Sequence, residues 1–151
     1  MNQYFKVIRY EEALQLLTES LPPRRTVCLP LTACTGRRLS HAVISPESLP
    51  AFNRSSVDGY ALKAADTYGA SESLPAVLDF QGEILMGEGT ALKLGPGQCA
   101  WVPTGGALPE ECDAIVMVEY TERIDETTVL IYRLVSPGEN IMFTGEDALA
   151  G

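Results

Sequence analysis

Basic residues are scarce in this 151-residue chain: 11 lysines and arginines stand against 20 aspartates and glutamates, a formal net charge of −9. An acidic chain repels nucleic-acid phosphates and anionic lipid surfaces, so we expect neither nucleic acid nor membrane as a partner. The longest apolar run, Ala114 to Val118, is far shorter than the ~20 residues of a membrane helix. The first residues show no secretory signal pattern, and we expect a cytoplasmic protein.

Histidine and closely spaced cysteines are equally scarce. His41 is the only histidine, and Cys28, Cys34, Cys99 and Cys112 form no C-x-x-C pair. A zinc site needs closer pairs or histidine partners, and a nucleophilic triad needs a base that this sequence hardly offers. Neither a P-loop nor a G-x-G-x-x-G motif occurs. We therefore expect buried, reduced thiols and no metal ligands in this chain.

The N-terminal part of the sequence has a mixed helical and extended pattern. Apolar residues recur with a 3.6-residue period from Tyr10 to Leu21, which predicts a helix that Pro22 ends. A short strand over 26–29, a weaker helix over 31–39 and a strand over 42–44 follow in the prediction.

From Pro50 onward, glycine and proline separate short β-branched and aromatic runs. This texture predicts a series of short strands, over 59–62, 76–80, 98–102, 114–120 and 127–135, with a helical turn near 63–67. The predicted fold class is α+β, with N-terminal helices and short strands followed by a mainly β, barrel-like or sandwich-like domain.

Two polar loops in this region are candidates for a site. In residues 50–61, hydrogen-bonding side chains lie between the apolar anchors Phe52 and Tyr60, and Asp58 precedes a glycine. In residues 102–109, two glycines follow Thr104 and allow close approach of a ligand to the backbone. The alternative for each loop is an ordinary turn, in which a carboxylate such as Asp58 binds backbone amides.

A third polar stretch, residues 138–147, carries two acidic clusters on either side of an apolar centre. Carboxylate and carbonyl oxygens suit a hard divalent cation such as Mg²⁺, but a solvated loop is the more common outcome of such a pattern.

Taken in order, these stretches resemble the N-terminal region of the MoeA-type molybdopterin molybdenumtransferases, a family that includes the E-domain of gephyrin. The resemblance covers essentially the whole chain. It is carried by Pro50-Ala51-Phe52, Ser55, Val57-Asp58-Gly59-Tyr60-Ala61, Thr104-Gly105-Gly106-Ala107-Leu108-Pro109, Asp113-Ala114-Ile115-Val116, Gly138-Glu139-Asn140 and Gly145-Glu146-Asp147.

The resemblance implies that the chain is part of an enzyme that inserts molybdate into adenylylated molybdopterin with Mg²⁺ and releases AMP. It implies a homodimer whose cleft lies between subunits. It also implies catalytic roles for Asp58 and Thr104, and we expect substrate binding by residues of the same loops: Ser55, Ser56, Gly105 and Gly106.

The chain departs from the family pattern in three ways. Asn53 and Arg54 change the charge before the Asp-Gly-Tyr motif, and Met142-Phe143-Thr144 replaces a basic run that is frequent in the family. A large domain that carries most of the family's cofactor site has no counterpart here. We therefore expect three parts, residues 1–47, 48–138 and 139–151. The first would belong to domains completed by sequence outside this chain, and the last would return toward the first. We also expect no activity in the isolated chain. The alternative is a non-catalytic dimerisation or docking module.

Overall fold

A computed structural model describes residues 7–23, 25–87, 89 and 91–151. The chain divides into two compact units, Met1–Val43 and Ile44–Gly151. Within the described ranges, no helix combines the length and the hydropathy needed to cross a membrane. The predicted domain limits at residues 47 and 138 concern a longer family protein and stay a prediction.

The first unit contains the predicted N-terminal helix, α1, over Tyr10–Ser20. Glu11 and Glu12 lie in its first turn, where their negative charges interact favourably with the positive end of the helix dipole. The helix ends before the proline pair at 22–23, because proline lacks the N–H that the helix requires. No residue of α1 is buried within the chain, and Leu14 and Leu17 of its apolar face are exposed.

The prediction of several N-terminal helices is wrong, since α1 is the only α-helix in the described residues. The second predicted helix shrinks to a 3-10 turn, Leu31–Ala33. Gly36 has φ +76°, a left-handed conformation that cannot continue a right-handed helix. The strands predicted over 26–29 and 42–44 are also wrong, because neither segment finds a partner strand among the described residues.

In its described residues, the second unit contains eight strands. A six-stranded sheet has the order β5-β2-β4-β3-β7-β6, and β1 pairs with β8 in a separate two-stranded sheet. Only β3 and β4 pair in parallel; the other pairs are antiparallel. The strands are β1 Arg54–Ser55, β2 Gly59–Leu62, β3 Ala76–Glu83, β4 Gln98–Val102, β5 Ala114–Met117, β6 Thr121–Arg123, β7 Thr128–Ile131 and β8 Ile141–Met142.

The six-stranded sheet must curl, because its two edge strands are consecutive in the chain. A flat sheet would separate β5 from β6 by five strand spacings, roughly 24 Å. The 3-10 turn Val118–Tyr120 that joins them spans four Cα steps, at most about 15 Å. The sheet therefore bends until its edges approach each other, which confirms the predicted barrel-like architecture as a curled sheet.

Most of the predicted strands are confirmed. The strand over 98–102 and the strand over 59–62 have the predicted limits, and the turn near 63–67 is a 3-10 helix, Ala64–Thr67. The strand predicted over 114–120 ends at Met117, where the chain bends into the 3-10 turn Val118–Tyr120. The apolar pattern continues past this bend, so the sequence does not show it.

Both faces of β2 are buried. Along β2, Tyr60 and Leu62 belong to one apolar cluster and Ala61 to a second, as the two-residue period of a strand requires. On the first face, the Tyr60 ring packs edge-on against Trp101 at 5.4 Å between ring centroids. Because β2 is buried in a cluster on each face, its register with the neighbouring strands is fixed. That register also determines where the residues just before β2 lie.

Candidate functional site

The start of β2 and the end of β4 meet at one edge of the curled sheet. Gly59 is opposite Val102 in the antiparallel register, so Asp58 lies beside the loop that follows β4. The carboxylate oxygen Oδ1 of Asp58 accepts the backbone N–H of Thr104 at 2.7 Å and the Thr104 hydroxyl at 2.8 Å. Two residues 46 positions apart thus share one hydrogen-bonded pair.

The hydrogen bonds from Thr104 determine the charge state of Asp58. The backbone N–H and then the hydroxyl hold the pKa of this carboxyl below its ordinary value, because both stabilise the ionised form. The other oxygen, Oδ2, accepts no hydrogen bond from the described residues. Asp58 is fully exposed, so it presents an ionised oxygen to solvent at neutral pH.

Glycines shape the loop that carries Thr104. Gly105 has φ +84°, and a Cβ on Gly106 would lie 2.8 Å from a methyl carbon of Val102. The Gly105 N–H donates to the Ser55 carbonyl at 2.8 Å, and the Ser55 N–H donates to the Gly106 carbonyl at 3.0 Å. Only glycine suits this crowded loop, which is fastened on both sides to β1.

The two serines brace loops. Ser55 is buried, and its hydroxyl donates to the Val57 carbonyl and accepts the Val57 N–H. The exposed Ser56 donates both its N–H and its hydroxyl to the carbonyl of Asn140, each at 3.0 Å. The structure therefore brings Ser55, Gly105 and Gly106 next to the Asp58–Thr104 pair, and it ties Ser56 to the third polar stretch.

The two glutamates of that third stretch are engaged in local structure. Glu139 forms an ion pair with Arg133 at 3.2 Å, and the Glu146 carboxylate accepts the N–H of Phe143 at 3.0 Å. Within the ranges that the structure covers, no group of three histidine, cysteine, aspartate or glutamate side chains could hold a metal ion.

Arg54 is a feature whose importance the sequence does not reveal. It lies on β1 directly opposite Met142 of β8. Its Nε atom is buried and has no hydrogen-bond partner among the described residues. A buried donor without a hydrogen bond reduces the stability of the fold by about 1–3 kcal/mol, so its presence here calls for a physical explanation. The sequence shows an arginine that changes the charge before the Asp-Gly-Tyr motif, but the burial of its Nε depends on a two-residue strand pair that the periodicity does not indicate.

An open cleft of ≈ 460 Å³ lies between the first and third polar stretches. It is mostly apolar, and its polar side chains include Asn53 and Asp113. Asn53 binds the N–H and the hydroxyl of Thr144 through Oδ1, at 2.9 and 3.1 Å. The cleft is lined by Asn53, Leu108, Cys112, Asp113, Pro137, Gly138, Ile141 and Phe143.

Comparison with known proteins identifies the family. Residues 8–151 match the MoeA N-terminal region, described as domains I and II. The chain is 36% identical over 142 residues to molybdopterin molybdenumtransferase 2 of Mycobacterium tuberculosis, and 33% identical over 147 residues to the molybdopterin molybdenumtransferase of Bacillus subtilis. These alignments cover 93% and 95% of this chain.

Solved structures agree with the sequence relatives. The MoeA molybdopterin biosynthesis protein of Pyrococcus horikoshii OT3 has a TM-score of 0.76 with this chain at 35% identity, over 97% of this chain and 38% of that one. The chain therefore belongs to the MoeA family, and it matches the N-terminal region of that family. It spans about a third of the length of its relatives: 35% of the M. tuberculosis protein and 34% of the B. subtilis protein.

Proposed function

We propose that this chain supplies one wall of the active site of a molybdopterin molybdenumtransferase, which inserts molybdate into adenylylated molybdopterin and releases AMP. The observation that carries the proposal is the Asp58–Thr104 pair, in which one carboxylate oxygen accepts two hydrogen bonds and the other faces solvent. Relatives of this chain are named for this transferase activity.

The charge of Asp58 restricts its catalytic role. Molybdate and phosphate are anions, so an ionised carboxylate repels them. It attracts hydrogen-bond donors such as the amino and ring N–H groups of a pterin. We assign Asp58 to accepting a hydrogen bond from the pterin side of the substrate. Thr104 holds Oδ1 in place, so that Oδ2 remains directed to the ligand.

The neighbouring residues have different proposed roles. The backbone of Gly105 and Gly106 lets a substrate approach closely where no side chain intervenes. Ser56 offers an exposed hydroxyl next to its bond with Asn140. Ser55 acts through its backbone bonds to the glycines, because its side chain is buried.

Magnesium belongs to the proposed reaction, but we assign no ligand for it to this chain. Mg²⁺ commonly keeps several waters and takes few protein carboxylates together with substrate phosphates, so such a site needs little from any one domain. When bound, the ion would neutralise phosphate charge.

The assembly is likewise a proposal. We place the protein in the cytoplasm as a homodimer, with neither nucleic acid nor membrane as a partner. The exposed apolar residues of α1 support a protein–protein contact, since a covered face would remove Leu14 and Leu17 from water. The same observation favours the second candidate, a non-catalytic dimerisation or docking module.

A domain exchange tests the proposal. Residues 8–151 would replace the matching third of the B. subtilis transferase, and molybdate insertion would be assayed with adenylylated molybdopterin and Mg²⁺. We expect turnover by the chimera and none by the 151-residue chain alone. Turnover by the chain alone would contradict its proposed dependence on other domains. A folded chimera without activity, beside an active parent enzyme, would favour the docking module.

A further inference from the structure

The guanidinium of Arg54 lacks the partners that the other arginines of the second unit have. Arg123 lies 4.0 Å from Glu83 and also donates to two backbone carbonyls, and Arg133 pairs with Glu139 at 3.2 Å. In the part of the chain that the structure describes, Arg54 forms no ion pair and no side-chain hydrogen bond. The chain has 20 acidic residues, and none of those described forms an ion pair with Arg54.

The surroundings of Arg54 leave its charge uncompensated. Directly opposed residues of paired strands project from the same face, and the two residues opposite Arg54 are Met142 on one side and Ala107 on the other. Neither is charged. Arginine is permanently protonated, so the group cannot relieve its burial by losing a proton.

We propose that Arg54 binds a small tetrahedral oxyanion, of the phosphate or molybdate type, on the face that β1 shares with β8. A planar guanidinium donates two parallel hydrogen bonds to such an anion, and it does so more strongly than to a neutral acceptor. Among the described residues no hydrogen bond holds the side chain, and Arg54 as a whole is only partly buried, so in this proposal the side chain turns and brings Nε out of its shielded position toward the anion.

This site lies close to the Asp58–Thr104 pair but is distinct from it. Ser55, the next residue, carries the backbone bonds to Gly105 and Gly106. Arg54 is not among the groups that shift the pKa of Asp58, whose charge is stabilised by Thr104. Arg54 would thus bind an anion, whereas the neighbouring Asp58–Thr104 pair would bind a hydrogen-bond donor. The inference does not rest on the proposed function, because it concerns oxyanion binding by this chain alone.

Nuclear magnetic resonance of the 151-residue chain tests the site directly. Sodium phosphate, sodium molybdate or AMP would be titrated at constant ionic strength while the Nε–H signals of the arginines are followed. We expect a saturable shift of the Arg54 signal and none at Arg123, whose Nε–H already donates to the Asp125 carbonyl at 3.1 Å. A response to either inorganic anion assigns the site to free oxyanions, whereas a response to AMP alone assigns it to a phosphate ester.

Variants separate binding from general charge. Arg54→Met should weaken the affinity by about tenfold or more, and Arg54→Lys should weaken it less, because lysine keeps the charge but loses the bidentate geometry. Arg133→Met removes an exposed arginine that is already paired and should leave the affinity unchanged. An unmoved Arg54 signal with all three anions, equal shifts at all arginines, or unchanged affinity in Arg54→Met would overturn the proposal. If Arg54→Met does not fold, the anion titration of the wild-type chain still tests whether Arg54 binds the anion.

Discussion

Two Asp–Thr pairs in the second unit have nearly the same local geometry. In each, one aspartate Oδ1 accepts the backbone N–H and the hydroxyl of a threonine, at 2.7 and 2.8 Å for Asp58 with Thr104 and at 2.7 and 3.0 Å for Asp125 with Thr127. Both aspartates have a lowered pKa for the same first cause, a backbone N–H.

The two pairs differ in what assembles them. Asp125 and Thr127 are two residues apart in the turn between β6 and β7, so local chain geometry suffices. Asp58 and Thr104 are 46 residues apart and meet only because β2 and β4 pair in one register. Asp125 also accepts the Thr128 hydroxyl on Oδ2, whereas Oδ2 of Asp58 accepts no hydrogen bond from the described residues. The same pattern of hydrogen bonds therefore closes a local turn at Asp125 and joins two distant segments at Asp58, where we propose the site.

The largest expected effect concerns the strand that leads to Thr104. Burial raises the pKa of Cys99 on β4, and that of Cys112, to about 12. At pH 8 few of these thiols are ionised, so their labelling by a disulfide reagent should be at least about a hundredfold slower than that of the exposed Cys28. Rapid labelling of Cys99 in the native protein would show that the sheet holding the first pair opens readily.

The next effect concerns Gly59, which separates Asp58 from the rest of β2. A Cβ here would lie 2.0 Å from the backbone oxygen of Val116. Gly59→Ala should reduce the free energy of unfolding by about 1–3 kcal/mol or more and should raise the pKa of Asp58, leaving that of Asp125 unchanged. Gly89→Ala is the matched control, because a Cβ there meets no atom within 4 Å. Denaturant titration measures the free energy of unfolding of both variants. Equal values for Gly59→Ala and Gly89→Ala would refute the close approach of β2 and β5.

The smallest effect separates the two hydrogen bonds within each pair. Thr104→Val removes the hydroxyl and keeps the backbone N–H, which is the larger cause of the shift, so the pKa of Asp58 should rise only part of the way to its ordinary value. Thr127→Val should raise the pKa of Asp125 less, because the Thr128 hydroxyl remains. Carboxyl ¹³C titration measures both values. A full return of Asp58 to its ordinary pKa would contradict the dominance of the backbone bond.

These shifts also set the direction of the pH dependence of stability. A carboxyl whose pKa is lower in the folded state stabilises the fold at pH values above its unfolded pKa, ~3.9 for aspartate. That contribution is lost as the pH falls through the folded-state pKa. Thr104→Val should therefore make the protein less sensitive to acid in this window, and greater sensitivity would contradict the assigned sign.

The sequence predicted what local signals determine. The strand over 98–102 has its predicted limits because a Gly-Pro-Gly turn precedes it and Pro103 follows it. The helix predicted over 31–39 was wrong because the left-handed Gly36 outweighs the apolar pattern. Asp58 and Thr104 were identifiable as candidates, but their direct pairing follows from the register of β2 on β4. The isolation of Arg54 depends likewise on the short β1–β8 pair, which no periodicity shows.

The most direct test of the account compares the two aspartates by substitution. Asp58→Asn and Asp125→Asn each remove one charge and keep the side-chain shape, and both would be placed in the active B. subtilis chimera. We predict that Asp58→Asn lowers the rate of molybdate insertion by about tenfold or more while the fold is retained, and that Asp125→Asn leaves the rate unchanged. Equal rates for the two variants would contradict the central claim that the fold makes a reactive site of the first pair and a turn of the second.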